Sequence, residues 1–247
     1  LPNERLRDAL LRNGVDLLQV AKATGVDPKT VERWITKDRT PYPRHRHTIA
    51  SLVREPETYL WPDAMGEARK AEISGSEVVR VYPHRHAVTA DTWTHLINDT
   101  KVSISILVYA AMFMVDNPAL IRTLRAKAES GVKIRLLLGD PTSREVARRS
   151  EEEGIGKGTL AAKIRNALAI YKPLADVPGV DIRVHGTTLY NSIYRFDDEM
   201  LVNTHVHGFM AAHAPVLHLR RLSGGDLFET YLESFQGVWD NAKPPKR

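Results

Sequence analysis

A small all-α domain followed by an α/β domain is the architecture this sequence predicts, and three observations carry it. Residues 1–54 hold several short stretches with helical apolar spacing and no strand-like alternation. From Val78 onward, β-rich apolar runs alternate with helical stretches, the pattern of an α/β fold. The whole net charge of +5 falls within residues 1–54, which hold eleven basic and six acidic side chains, while the rest of the chain is balanced. Such asymmetry points to a polyanion-binding module joined to a neutral one.

In the first module, Leu6, Leu10 and Leu11 have helical spacing, and Gly14 stops that helix. Asp16 is an N-cap for LLQVAKAT, which ends at Gly25. Asp27 caps PKTVERWIT, with Pro28 at the favoured first position. RTPYPR reads as a loop and HRHTIASLV as a fourth helix. Residues 55–77 form a connector with some helical potential, whose Leu60 and Trp61 are free to pack on either domain.

In the second module, residues 78–247, VVRVY is a strand and TADTWTHLINDT a helix. SISILVYAA is an apolar strand run, buried on both faces if its neighbours are parallel. A helix follows over PALIRTLRAKAESG, a strand over VKIRLLLGD, and helices over SREVARRSEEEGIG and TLAAKIRNALAIYKPLAD. VDIRVHG, LYNSIYRFD and EMLVNTH read as strands, and GDLFETYLESFQGVWDNA as a closing helix.

The bulk composition narrows the function classes. Hydrophobic residues are 43% and charged residues 26%, the balance of a globular protein with a real core. Cysteine is absent, which excludes disulfides and thiolate metal sites and suits a cytoplasmic protein. No apolar run reaches membrane-spanning length and the start does not read as a signal peptide, so no membrane partner is expected.

The segment LLQVAKATGVDPKTVERWITKDRTP resembles the helix-turn-helix of lambda repressor/Cro-like (XRE-type) regulators. The matching residues are Ala21 in the first helix, Gly25 at the turn, Val26 after it, and Val31 and Trp34 on the inner face of the second. Two steeply crossing helices need a small residue at their contact and a glycine able to take positive φ at the turn. The resemblance implies a second helix lying in the major groove of a double-stranded DNA operator, with Lys29, Thr30 and Arg33 toward base edges. Lys37, Arg39 and Arg44 would lie near phosphates, where charge neutralisation supplies affinity. The chain departs from the family at Leu17, where a glutamine is frequent; Gln19 is nearby.

The run SISILVYAAMFMVDNPALIRTLRAKAESGVKIRLLLGD and the end TYLESFQGVWDNA resemble a single phospholipase D-like half, covering roughly two thirds of the chain. That superfamily carries HxKxxxxD followed by a GSxN-like segment. Histidine and lysine two apart on a strand share a face, so one can attack phosphorus while the other neutralises phosphoryl charge. Laid on this sequence, the histidine falls on Tyr190, the lysine on Ser192 and the aspartate on Asp197, and the small polar segment on Asn203, Thr204, His205 and Val206. Only the aspartate is retained. Tyrosine, with a reference pKa of about 10, is a poor nucleophile near neutrality, and serine carries no charge. The expectation is therefore a catalytically inactive domain, in which Tyr190, Ser192, Tyr194, Asp197, Asn203 and His205 are candidates to hold a small-molecule effector.

A phospholipase D-like fold joins two halves and this chain has one, so a homodimer is expected, which would pair two DNA-binding modules on a two-fold symmetric site. The pairs His45/His47, His84/His86 and His205/His207 are read as non-metal, and no cofactor is expected. His45 and His47, at a helix start among arginines, are expected to meet solvent or phosphate. Two alternatives stay open: a phosphodiesterase or nuclease using His205 or His185, and a protein-interaction module.

Overall fold

The structure is a computed structural model that describes residues 2–37, 39–64, 75–115 and 119–245. It divides into two compact units, Leu1–Ser76 with Leu222–Asp226, and Glu77–Arg221 with Leu227–Arg247. Among the described residues, no helix is long and apolar enough to cross a membrane.

The first unit is helical: α1 (Glu4–Arg12), α2 (Leu17–Thr24), α3 (Pro28–Thr36), α4 (Pro43–Val53) and the single turn α5 (Glu57–Leu60). Its boundaries follow from capping chemistry. The Asp16 carboxylate accepts from Gln19 N, and the Gln19 side chain accepts from Asp16 N, closing a reciprocal cap on α2. Gly25 ends that helix at φ 69°, a left-handed conformation that glycine takes without a Cβ clash. Asp27 then caps α3, accepting from Lys29 N, with Pro28 in the first turn. Leu6, Ala21, Val31, Trp34 and Ile49 fill the core of this unit. Leu60 and Trp61 join that core, which settles where they pack. Residues 65–74 of the expected connector lie outside the described residues.

The second unit is built on a mixed seven-stranded sheet. Its strands are β1 (Val78–Tyr82), β2 (Ser103–Leu107), β3 (Lys133–Gly139), β4 (Val180–His185), β5 (Asn191–Phe196), β6 (Glu199–Thr204) and β7 (Val216–Arg220), in the order β1-β7-β6-β5-β2-β3-β4. Strands β2, β3 and β4 run parallel, and every other neighbouring pair is antiparallel. The helices are α6 (Ala90–Asp99), α7 (Met112–Val115), α8 (Leu120–Glu129), α9 (Arg144–Glu152), α10 (Thr159–Tyr171) and α11 (Leu227–Asp240).

Strand alternation splits the core in two. Ile104, Ile106, Tyr194 and Phe196 join one cluster with Leu96 of α6 and Leu124 of α8. Leu107, Ile193, Met200 and Val202 join the other, with Val146 of α9 and Phe228 and Trp239 of α11. Tyr194 and Ile193 thus face opposite sides of the sheet. Gly139 sits where a Cβ would come within 3.0 Å of Ile164 and Val146 and 3.1 Å of Tyr109, so any side chain there would require those neighbours to give way. Buried Glu77 accepts from Leu227 N and Phe228 N and so caps α11 from 150 residues away in sequence.

Two parts of this unit differ from the sequence reading. The apolar strand run stops at Leu107, and Val108–Ala111 forms the exit of β2, with Ala111 at φ 50°. Strand β7 was absent from the expected elements; the short run VLHLR becomes a strand because β6 and β1 flank it on both sides.

The hairpin between β5 and β6 turns at Asp197, whose backbone takes φ 52°. Its carboxylate accepts from Lys101 N at 2.7 Å, Val102 N at 3.0 Å and Ser103 N at 2.7 Å, while Asp197 N donates to Ser103 O. These charge-assisted bonds tie the hairpin to the start of the central strand. Replacing Asp197 by alanine is expected to lower stability by about 2–3 kcal/mol, and Asp197→Asn, which tolerates the same φ and keeps one acceptor, by roughly half that. Urea unfolding of the two variants beside the parent chain checks the order.

Candidate functional site

In the helical unit, α2 and α3 meet with Val20, Ala21, Val31, Trp34 and Ile35 buried. Val31, Trp34 and Ile35 face inward, which turns Lys29 and Arg33 to solvent, while Thr30 is half-buried. Lys37, Arg39 and Arg44 are also exposed. Arg44 Nε donates to His45 Nε2 at 3.3 Å, and none of these five cations pairs with a carboxylate among the described residues. Arg46 differs: it is buried, with Nε 3.3 Å from Glu57 and a further donor on Pro41 O. His45 corrects an expectation. It is buried, with its ring 5.8 Å from that of Trp34, rather than facing solvent or phosphate.

In the sheet unit, the candidate effector residues separate into three places. Ser192 and His205 come together at the end of β5, where Ser192 Oγ lies 3.0 Å from His205 Nε2. His205 Nδ1 lies 3.1 Å from Leu189 O. A carbonyl only accepts, so Nδ1 carries the proton and Nε2 is left to accept from Ser192. Tyr109, just past β2, stacks on the His205 ring at 5.7 Å and accepts from Leu189 N. His185, at the end of β4, lies 5.8 Å from Tyr109, and its Nε2 reaches Val108 O. Tyr109 lies just past the carboxyl end of β2 and His185 at that of β4, the two parallel strands on either side of β3; ligand groups of open α/β sheets collect at such ends, and that rule was the available signal for Tyr109.

Asp197 is corrected: it lies at the other end of β5, about 16 Å along the strand from Ser192, and its carboxylate is engaged by the three backbone donors at the start of β2. Tyr190 is 80% exposed, its phenol outside the hydrogen-bonded group; only its carbonyl takes part, accepting from His205 N. Tyr194 is a buried wall rather than an open contact, packed at 5.0 Å against Trp93 and 5.8 Å against Phe113. Asn203 lies directly across from Ser192, but its Nδ2 is committed to Ala214 O and Pro215 O, fixing the chain after β6. Asn203 Oδ1 is buried with no partner among the described residues.

His84 and His86 meet a third histidine, His213, whose ring lies 5.3 Å from His86. Among the described residues, no group of three histidines or carboxylates could hold a metal.

Burial lowers the pKa of His205 to about 4, and the nearby Arg149 and Arg85 cations add to the effect. Burial also lowers that of His185. Both rings are therefore neutral at physiological pH. As pH falls from 6.5 toward about 4, the unfolded chain binds a proton that folded His205 refuses. Stability should be undiminished above pH 6.5 and fall by up to about 2–3 kcal/mol across that window. Unfolding of the parent chain and of His205→Gln at stepped pH measures the difference, which should narrow as pH drops.

Comparison with known proteins gives a family without an assigned activity. No curated protein matches the chain. Among solved structures it is similar to TrmBL2, described as an archaeal chromatin protein with a novel mode of DNA binding, at 14% identity and a TM-score of 0.42, covering 83% of this chain and 72% of that one. It is also similar to Nuc from Salmonella typhimurium, described as a phospholipase D family member, at 15% identity and a TM-score of 0.39, covering 68% of this chain and 99% of that one. Scores this low transfer no chemistry. A family model described as a domain of unknown function (DUF5919) matches residues 75–246, and the chain belongs to that family.

Proposed function

We propose that this protein is a sequence-specific DNA-binding transcriptional regulator. Its helical unit would read a double-stranded operator, and its sheet unit would be a phospholipase D-like half that dimerises and binds an effector without catalysis. The observation that carries the reading is the local geometry of α2 and α3. A small buried Ala21, a left-handed Gly25 and an inward Val31 and Trp34 leave Lys29 and Arg33 exposed at the front of a helix. Lys37, Arg39 and Arg44 follow it as exposed, carboxylate-free cations among the described residues. A helix presented in this way suits the major groove, and its flanking cations suit phosphates.

The sheet unit supports a non-catalytic role by what stands at the aligned positions. Ser192 is buried at 3% exposure and uncharged, and Tyr190 is exposed to solvent. One observation favours the enzymatic alternative, the Ser192–His205 hydrogen bond. A serine attack would require access that Ser192 lacks and a base stronger than a histidine held near pKa 4. Turnover of a simple phosphodiester such as bis(p-nitrophenyl) phosphate, abolished by His205→Ala, would reverse this assignment.

Arg33→Ala and Lys29→Ala are each expected to weaken binding to a selected duplex by about 1–3 kcal/mol and to relax its sequence preference. Arg39→Ala should weaken all duplexes alike and reduce the salt dependence by about one unit of slope. Fluorescence anisotropy at several salt concentrations separates the two behaviours. Sedimentation should give a dimer mass at micromolar concentration; a monomer would remove the two-fold operator from the proposal.

A further inference from the structure

A groove of about 270 Å3 in the sheet unit is walled by α6, α7 and the start of α8, with Trp93, Phe113, Met114 and Leu120 as its apolar lining. Its size is at the small end of ligand pockets, which start near roughly 300 Å3. Arg85 stands at its edge with its guanidinium 3.9 Å over the Phe113 ring. Trp93 lies 5.0 Å from Phe113 and 5.0 Å from Tyr194, so the aromatic wall runs from the groove to the sheet.

Among the described residues, Arg85 is half-buried and pairs with no carboxylate, and no acidic side chain lines the groove. Its protein partners are the face of Phe113 and the neutral Tyr194 hydroxyl, to which it is hydrogen-bonded. Both are weak compensation for a half-buried cation, whereas a planar guanidinium fits a carboxylate in bidentate fashion. The single cation matches a single negative charge, and the lining matches an apolar body.

We propose that this groove binds a small amphipathic monocarboxylate. The carboxylate pairs with Arg85, and the aromatic or acyl body lies between Trp93, Phe113 and Met114. This deepens the regulator reading, on which it rests for its role as effector, by naming the ligand class and placing it in a groove that the candidate residues of β5 and β6 do not line.

The test titrates the full chain with benzoate and octanoate, with benzyl alcohol and octanol as neutral counterparts, and with inorganic phosphate. Calorimetry and tryptophan fluorescence are the readouts. The carboxylates should bind at least about tenfold more tightly than the alcohols, a difference of about 1.4 kcal/mol. Their binding should perturb fluorescence in the parent chain and not in Trp93→Phe. Arg85→Met should abolish the preference for the acid, and Met114→Trp, which fills the groove and leaves Arg85 in place, should block both acids and alcohols. Equal binding of acids and alcohols, binding unchanged in Met114→Trp, or binding of phosphate alone would overturn the proposal. So would the absence of carboxylate binding at millimolar concentration. Duplex binding is measured on the same samples. Carboxylate binding without duplex binding removes the regulator reading and keeps the site, and the opposite result removes only the site.

Discussion

The sheet unit depends on the carboxylate of Asp197. A chain entering β2 from α6 arrives with three successive backbone N–H groups, on Lys101, Val102 and Ser103, that no strand neighbour yet satisfies. Asp197 accepts from all three, and its own N–H donates to Ser103 O. The hairpin of β5 and β6 is thereby set in register against β2, with Ile104 opposite Phe196 and Ile106 opposite Tyr194. A slip of one residue would move Tyr194 from one core to the other. At the far end of the same strand, this register brings Ser192 opposite Asn203 and within reach of His205. A residue that the phospholipase D resemblance marks for catalysis acts here in the frame that positions its neighbours.

The helical unit was legible because its signals are local. Asp16, Gly25 and Asp27 act on donors and dihedrals within a few residues, so sequence spacing is enough to place α2 and α3. The strands of the second unit were legible from their apolar runs for the same reason, except β7. Its identity as a strand comes from β6 and β1 pairing with it on either side. The candidate site was legible in part. The pairing of Ser192 with Asn203, and with it the approach of His205, follows from hairpin register. The stack of Tyr109 on His205, the burial of His45 under Trp34 and the Arg85–Phe113 contact depend on segments brought together only by folding. Asp197 misled because a motif position says where a residue stands on a strand and not which end of the strand becomes the cleft.

The two units differ in how they hold charge. The first concentrates charge on exposed side chains around one short helix, an arrangement for a polyanion. The second holds its polar groups neutral: His185 and His205 are desolvated and each has a ring nitrogen at a backbone carbonyl. The groove walled by α6, α7 and the start of α8 holds the other charge of note, that of Arg85, which pairs with no carboxylate among the described residues.

Selection of the full chain against a random duplex library tests the central claim most directly. The account predicts enrichment of one short motif, with the Arg33→Ala chain failing to enrich it. Retention of duplexes without any enriched sequence, or no retention at low salt, would contradict it.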